Sequence, residues 1–489
     1  MPKFEEQILR AIEGRHPLIY LHTPEEDRVT DCLASLLPRS FPGGSMTTWS
    51  CVRGLEPAAA GGADTRDPLA ALSELIARPR PGFCVMKDIS AFMDDPRVVR
   101  SLRDVYFSYC RDYKSALVLV SPVAVLPDSL EKELCLVELE APSADELSAR
   151  VAGIEKLFPG AELLPDLRSQ VLLALRGLTL KEAEHVMHRV FSTGAAKDTV
   201  LESIFAAKGA MTKKAGFLEF VPLREDTGAV GGHENVKDWA LKRKGLFSQD
   251  AVKAGLPVPK GVLIMGVSGC GKSLLAKAIA GTWQVPLFRL NMSLVFSGIY
   301  GSPEATFHRA LHSIEAVAPV VLWIDEMEAS LSTPKEAASP QSMVFSSFLT
   351  WMQEKPPLIF VAATANRIEM LPAEVVRKGR FDQVFFCDLP TDEERAQIIT
   401  IHLLRNGVDP KDFNLKFLVY CTKEWSGAEI EQAVISARVE ARQAGRAMTL
   451  KDIEAQTDRM VPLSKTMAEQ VKAIRDWAYN RATPATGKF

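Results

Sequence analysis

GVLIMGVSGCGKSLLAKAIAGTW, residues 261–283, is the stretch on which the fold turns. Val262–Met265 is a short apolar run of the kind that forms a strand buried on both faces. Gly266-Val267-Ser268-Gly269-Cys270-Gly271-Lys272-Ser273 follows and fits GxxxxGK[ST]; beyond it, apolar residues at 274, 275, 278 and 279 predict a helix. Each residue type meets a physical need. Glycines let successive backbone N–H groups curl around phosphate without Cβ clashes. The N-terminus of the helix, which includes Leu274, adds its dipole. Lys272 can reach the β- and γ-phosphates of a nucleotide, and the Ser273 hydroxyl can ligate Mg²⁺. The stretch implies a nucleotide cradle at the end of a parallel strand.

Further along, VVLWIDEMEAS (320–330) is a second apolar run, ending in paired acids. A strand parallel to the first would bring Asp325 beside the metal and Glu326 beside the γ-phosphate. Asp325 then holds Mg²⁺ through its water shell, and Glu326 orients or deprotonates the attacking water. A third run, LIFVAATAN (358–366), ends in Asn366, a neutral polar residue suited to hold the same water.

GVSGCGKS, WIDE, TAN, LPAEVVRKGRFD and WSGAEIEQAV follow one another in the order found in AAA-clade AAA+ ATPases, and residues from about 228 to 460 resemble that module. The resemblance implies an ATPase that uses ATP and Mg²⁺. Arg377-Lys-Gly-Arg380-Phe-Asp matches the family's R-x-G-R-F-D, so Arg377 and Arg380 are implied to be arginine fingers, reaching ATP bound by a neighbouring subunit. That role needs a planar, permanently charged donor fork. The resemblance also implies adenine-side roles for Gly232 in the Gly231-Gly232 turn, for His402, and for Gly427 and Ala428 at the start of the lid helix. A homo-oligomer, a hexamer-like ring or spiral, is implied as well.

The first half reads as a repeat of the second. Its apolar runs HPLIYL, GFCVMKD and SALVLVS keep the order and approximate spacing of the three runs above. SPVAVLPDSLEKELCLVELEAPSADEL parallels TANRIEMLPAEVVRKGRFDQVFFCDLPTDEER piece by piece. A period of about 240 residues is that of a domain duplication, not a solenoid. In this register LIYLHTPEED stands where the phosphate loop should be, with no glycine and no lysine. Thr23-Pro24-Glu25-Glu26 reads as a capping box, with Thr23 at the N-cap. The acid pair is reduced to Lys87-Asp88, and no finger pattern is present. The reading is an AAA-like domain with a closed site. With PLSKTMAEQVKAIRDWA at its end, the whole chain is similar to the Ycf-type ("hypothetical chloroplast reading frame") ATPases of plastids, cyanobacteria and other bacteria.

The expected organisation is α/β throughout: a degenerate AAA-like domain (1–205), a linker (206–232), a large P-loop ATPase subdomain (233–392), a helical lid (393–461), and a C-terminal helix and tail (462–489). Met467, Val471, Ile474 and Trp477 predict an amphipathic helix, and the final ATPATGKF reads as frayed. Lys+Arg 58 against Asp+Glu 61 gives a net charge of −3, which gives no electrostatic case for nucleic acid or an anionic membrane. The one basic run, Lys242-Arg243-Lys244, suits a solvated helix face. Eight scattered cysteines without metal-ligand spacing suit free thiols in a reducing cytoplasm. Two functions remain open. One is a ring that remodels or threads a protein partner. The other is a nucleotide-dependent scaffold or switch. Gly298-Ile299-Tyr300-Gly301 lies where threading relatives carry an aromatic-aliphatic pair, but Ile299 takes the usual aromatic place.

Overall fold

The structure is a computed structural model that describes residues 3–58, 64–123, 125–158, 163–192, 197–212, 216–222, 230–299, 301–328, 340–367, 372, 374–375, 377, 379–479 and 481–487. The chain divides into two compact units: residues 1–150 with 179–184, and residues 151–178 with 185–489.

The first unit is built on β1 (Leu18–His22), β2 (Ser45–Ser50), β3 (Gly54–Glu56), β4 (Gly82–Lys87), β5 (Ser115–Ser121) and β6 (Cys135–Glu138), in the spatial order β3-β2-β4-β5-β1-β6. All pairings are parallel except β2 with β3. Alternate side chains explain the layers. Ile19, Leu21, Val118 and Val120 enter one apolar cluster, and Leu18, Tyr20, Leu117 and Leu119 enter another. Successive strand residues point to opposite faces, so both faces are covered, as a parallel sheet requires.

The second unit carries β7 (Leu218–Val221), β8 (Gly261–Gly266), β9 (Leu287–Leu290), β10 (Val320–Ile324), β11 (Ile359–Ala365), β12 (Gln383–Cys387) and β13 (Thr483–Pro484), ordered β13-β12-β8-β11-β10-β9-β7. Only β7 runs antiparallel to its neighbour, β9. A separate helical subdomain follows β12, with its own core of Ile399, Leu403, Leu418, Trp425, Ile430 and Val434. In each unit the first strand of the parallel set lies between the fourth and the fifth: β1 between β5 and β6, β8 between β11 and β12. The duplication inferred from spacing is therefore a duplication of topology. In such sheets ligands bind beyond the carboxyl ends of the strands, where the strand order reverses.

Three local readings are corrected. The segment 206–232 is no plain linker where it is described. Residues 206–212 finish the helix Lys197–Thr212, and 218–221 form the edge strand β7. The fully buried Lys208 fastens that helix, its Nζ donating to the carbonyls of Arg176 (2.5 Å) and Val317 (3.2 Å). Thus the helices after residue 150 group largely with the second unit, where the sequence reading had placed them with the first.

The tail is the second. The helix Ala468–Tyr479 buries Val471, Ile474 and Ala478, as its spacing predicted. However, residues 483–487 are not frayed. β13 pairs with β12, and Ala485 is buried with its N–H on the Phe386 carbonyl at 2.8 Å. ATPATG carries little apolar signal, and its backbone pairing could not be read from composition. Third, Thr23 is not an N-cap. The helix begins at Glu26, and Thr23 Oγ1 accepts from the N–H of Glu25 at 3.0 Å in a local turn. Among the described residues no helix is long and apolar enough to cross a membrane.

Candidate functional site

The carboxyl ends of β8, β10 and β11 converge on one cavity of about 270 Å³. It is lined by Ser268, Gly269, Cys270, Gly271, Lys272, Ser273 and Leu274, together with Asp325, Glu326, Asn366, His402, Gly427 and Ala428. Gly266 and Val267 lie behind this lining, closing the end of β8, where the Val267 N–H donates to the Cys387 carbonyl at 3.1 Å. Gly232 is also set back. Its N–H donates to Gln397 Oε1 at 2.9 Å, while its neighbours Gly231 and His233 reach the cavity. Arg377 and Arg380 are absent from the lining. Arg377 is exposed, and an Arg380 Nη donates to the Glu374 carbonyl. Tyr300 lies outside the described residues; Ile299, before it, is 73% exposed.

The loop's shape follows from its glycines. Gly269 has φ +79°, and a Cβ there would stand 2.9 Å from Ser426 Oγ and 3.1 Å from the Ala428 Cβ. Small residues at both places let the lid helix Gly427–Gln443 touch the loop, with the Ala428 N–H on the Gly269 carbonyl at 3.0 Å. The helix Lys272–Trp283 begins at Gly271 with no side-chain cap, so its first N–H groups face the cavity uncompensated by protein side chains. Lys272 is buried, and its Nζ donates to the carbonyls of Gly266 (3.0 Å) and Val267 (2.7 Å). Burial lowers its pKa, against the opposing pull of nearby acidic groups. Burial also pushes the Cys270 thiol up to about 12, so this cysteine serves as a small apolar filler rather than a nucleophile.

The acids are held by a network. Asp325 Oδ1 accepts from Thr364 Oγ1 (2.7 Å) and lies 3.4 Å from Ser273 Oγ. Asp325 Oδ2 faces Arg289 at 3.3 Å. Glu326 adopts φ +46°, which turns it from the strand direction, and its N–H donates to Thr364 Oγ1 at 3.0 Å. Asn366 Nδ2 then donates to Glu326 Oε1 at 3.2 Å. The buried Glu328 secures Asn366 from behind, accepting from the backbone N–H groups of Asn366 (2.7 Å) and Arg367 (3.2 Å). An uncapped helix end, a buried ammonium and an oxygen pair from Ser273 and Asp325 together fit a polyphosphate and its Mg²⁺, since Mg²⁺ takes hard oxygen ligands.

His233, Thr364 and Glu394 line the site but escaped the sequence reading. Thr364 had a signal, since it stands two residues before Asn366 on a strand already assigned to the site. His233 had none. Its left-handed backbone (φ +59°) and the 2.9 Å contact of its Nε2 with the Cys270 carbonyl appear only in three dimensions.

The topology, the loop and the acid pair define an AAA-type P-loop ATPase. Residues 262–389 match the ATPase family associated with various cellular activities (AAA), and residues 4–139 match the N-terminal domain of SpoVK-like AAA ATPases. The chain is 32% identical over 485 residues to the AAA domain-containing protein ycf46 of Trieres chinensis, covering 97% of both. It is 32% identical over 487 residues to the protein of that name from Guillardia theta, covering 97% of this chain and 95% of the relative. A narrower likeness, 32% over 267 residues, links 52% of the chain to 43% of the ATP-dependent zinc metalloprotease FtsH of Thermotoga maritima. The chain belongs to the AAA ATPases, among the ycf46-type AAA domain-containing proteins. Nucleotide-dependent ATPase activity is the general function of that family.

Proposed function

We propose that the protein is a Mg²⁺-dependent ATPase that works as an oligomer, a hexamer-like ring or spiral, and remodels or regulates a protein partner. One observation carries this reading: the cavity gathers the loop, Lys272, the acid pair and Asn366, while Arg377 and Arg380 lie outside it. The cavity lining contains Arg405 but neither Arg377 nor Arg380, which supports a neighbour as the recipient of those two. In the proposed mechanism the N–H groups of 269–274 and the Lys272 ammonium hold the phosphates. Ser273 and Asp325 would hold Mg²⁺, which when bound neutralises phosphate charge. Glu326, oriented by Asn366, accepts a proton from the attacking water. Gly231, His402, Gly427 and Ala428 bound the base side.

A scaffold or switch is the second reading. The exposed Ile299 favours it, because an aliphatic side chain gives a threading loop less to grip with than an aromatic one. Eight unpaired cysteines suit a reducing compartment such as the cytoplasm, which completes the proposal.

Mixing two inactive variants tests the oligomer. Arg380→Ala should bind Mg-ATP yet lose most hydrolysis, since finger arginines contribute about 10³–10⁵ in rate. Glu326→Gln lacks the other half of the shared site. Mixed assemblies place an intact arginine beside an intact glutamate, so partial activity should return. Full activity of Arg380→Ala alone, or no recovery in assemblies shown to be mixed, rejects action between subunits.

A further inference from the structure

The segment Thr483–Gly487, which lacks every sequence mark of a functional element, reaches the nucleotide cavity by a short chain of hydrogen bonds. β13 adds to the sheet beside β12, which delivers Thr486 to the cavity residue Glu394. Thr486 Oγ1 donates to Glu394 Oε1 at 2.5 Å and accepts from the His233 N–H at 2.9 Å. The same N–H lies 3.1 Å from Glu394 Oε1. Asn235 ties the two segments again, its Nδ2 donating to the carbonyls of Pro484 (2.9 Å) and Gly487 (2.8 Å) and its N–H to that of Ala485 (3.0 Å). His233 passes the constraint on. Burial lowers its pKa and keeps the ring neutral, so the nitrogen facing the Cys270 carbonyl, Nε2, is the one that carries hydrogen.

We propose that Thr486 is a positioning residue for nucleotide binding: through Glu394 and His233 it fixes the base-side turn 231–233 against the phosphate loop. The inference rests on the reading of the cavity as the ATP site. Glu394 suits the part. Its pKa is lowered, because hydrogen bonds from Thr486 and from the N–H groups of Thr391 and His233 outweigh its burial, and a carboxylate held charged binds both the hydroxyl and the amide firmly. Without the Thr486 hydroxyl, the His233 N–H keeps only the longer of its two partners. The turn then moves more freely, and binding must restrict it.

Thr486→Val in the full chain removes the hydroxyl and keeps the shape, and Thr486→Ser restores the hydroxyl. For Thr486→Val the Kd for Mg-ATP should rise about tenfold, the scale expected for a hydrogen bond to a charged group, with kcat little changed. Without nucleotide, the amides of residues 230–239 should exchange hydrogen faster than in the parent. Thr486→Ser should return both values toward the parent. Parent-like affinity and exchange in Thr486→Val, or no rescue by serine, overturns the proposal. If the parent binds Mg-ATP and Lys272→Ala does not, such a result removes only the role of Thr486. If the parent itself fails to bind Mg-ATP, the reading of the cavity falls and takes this proposal with it.

Discussion

Two loops at the same topological place, 22–28 after β1 and 266–274 after β8, have opposite chemistry. After β8, glycines leave the helix N-terminus open and a buried lysine beside it. After β1, carboxylates fill the position; Asp27 is exposed, and Glu25 and Glu26 are engaged within the protein. Glu25 accepts from the Leu180 N–H (2.7 Å) and from Arg28 (3.1 Å), and Glu26 pairs with Lys87 at 2.7 Å. Arg28 is buried, and it also holds Glu146 and the Glu140 carbonyl. The strand-end kink survives the exchange: Asp88 (φ +55°) repeats the left-handed backbone of Glu326 (φ +46°), with Lys87 in the place of Asp325. The two units share this strand-end backbone, but where the second has glycines and a buried lysine the first has internal ion pairs. A fold of this kind supplies the position, and only the side chains decide whether that position takes ATP.

The comparison breaks first, and with the largest effect, at Lys272. In the full chain Lys272→Ala should abolish Mg-ATP binding, which leaves no nucleotide-induced rise in melting temperature, because a ligand stabilises only what it binds. Glu326→Gln should bind ATP and lose about 10²–10⁴ in turnover, the usual contribution of a general base. Residual nucleotide stabilisation in Lys272→Ala would mean that the first unit is not closed.

The next effect is on stability and falls on the other loop. Removing Arg28 leaves Glu25 and Glu146 facing each other without their shared cation. Breaking a buried network in this way should destabilise the first unit by about 3 kcal/mol. Arg28→Ala should therefore lower the unfolding midpoint of that unit while the Kd for Mg-ATP stays at the parent value. Unchanged stability would show that the ion network only fills space.

The sequence revealed the sheets, their duplication and the loop and acid residues gathered in the cavity beyond β8, β10 and β11 because these rest on short-range patterns. Apolar runs, a glycine loop and strand-end acids each declare themselves within about ten residues. It showed that the first loop lacks the glycines and lysine of the second, because their loss is visible, but it misread how the loop's carboxylates are held. Thr23 and Glu26 fit a capping box by spacing, whereas the carboxylate of Glu25 is used by Leu180, more than a hundred residues away. The tail failed for the same reason. Thr486 matters through Glu394 and His233, and no local pattern joins three residues so far apart in sequence.

The smallest expected effect is in pH, where the two regions should differ in the window of response. His233 has a lowered pKa, through burial above all, so the folded protein binds its proton less readily than the unfolded chain does. As pH falls below the unfolded value of about 6.5, the unfolded state gains protons first, and stability of the second unit declines. Glu146 behaves otherwise. Burial raises its pKa, but hydrogen bonds from Ser143 and the Arg28 guanidinium outweigh burial and hold it below the usual carboxylate range. Its contribution persists until pH falls below the ordinary carboxylate value and is lost as pH passes through the lowered one. Six of the seven tryptophans lie in the second unit, Trp49 alone in the first, so tryptophan fluorescence chiefly follows the second unit. Urea midpoints read this way should fall between pH 7 and 5.5, and His233→Asn should flatten that slope, asparagine being tolerant of the left-handed backbone. Hydrogen exchange in β1 and β5 should stay constant over the same range, once corrected for the intrinsic pH dependence of exchange. Equal slopes for His233→Asn and the parent would remove the histidine as the source, and early loosening of β1 would show that the ion network is not the acid-resistant part.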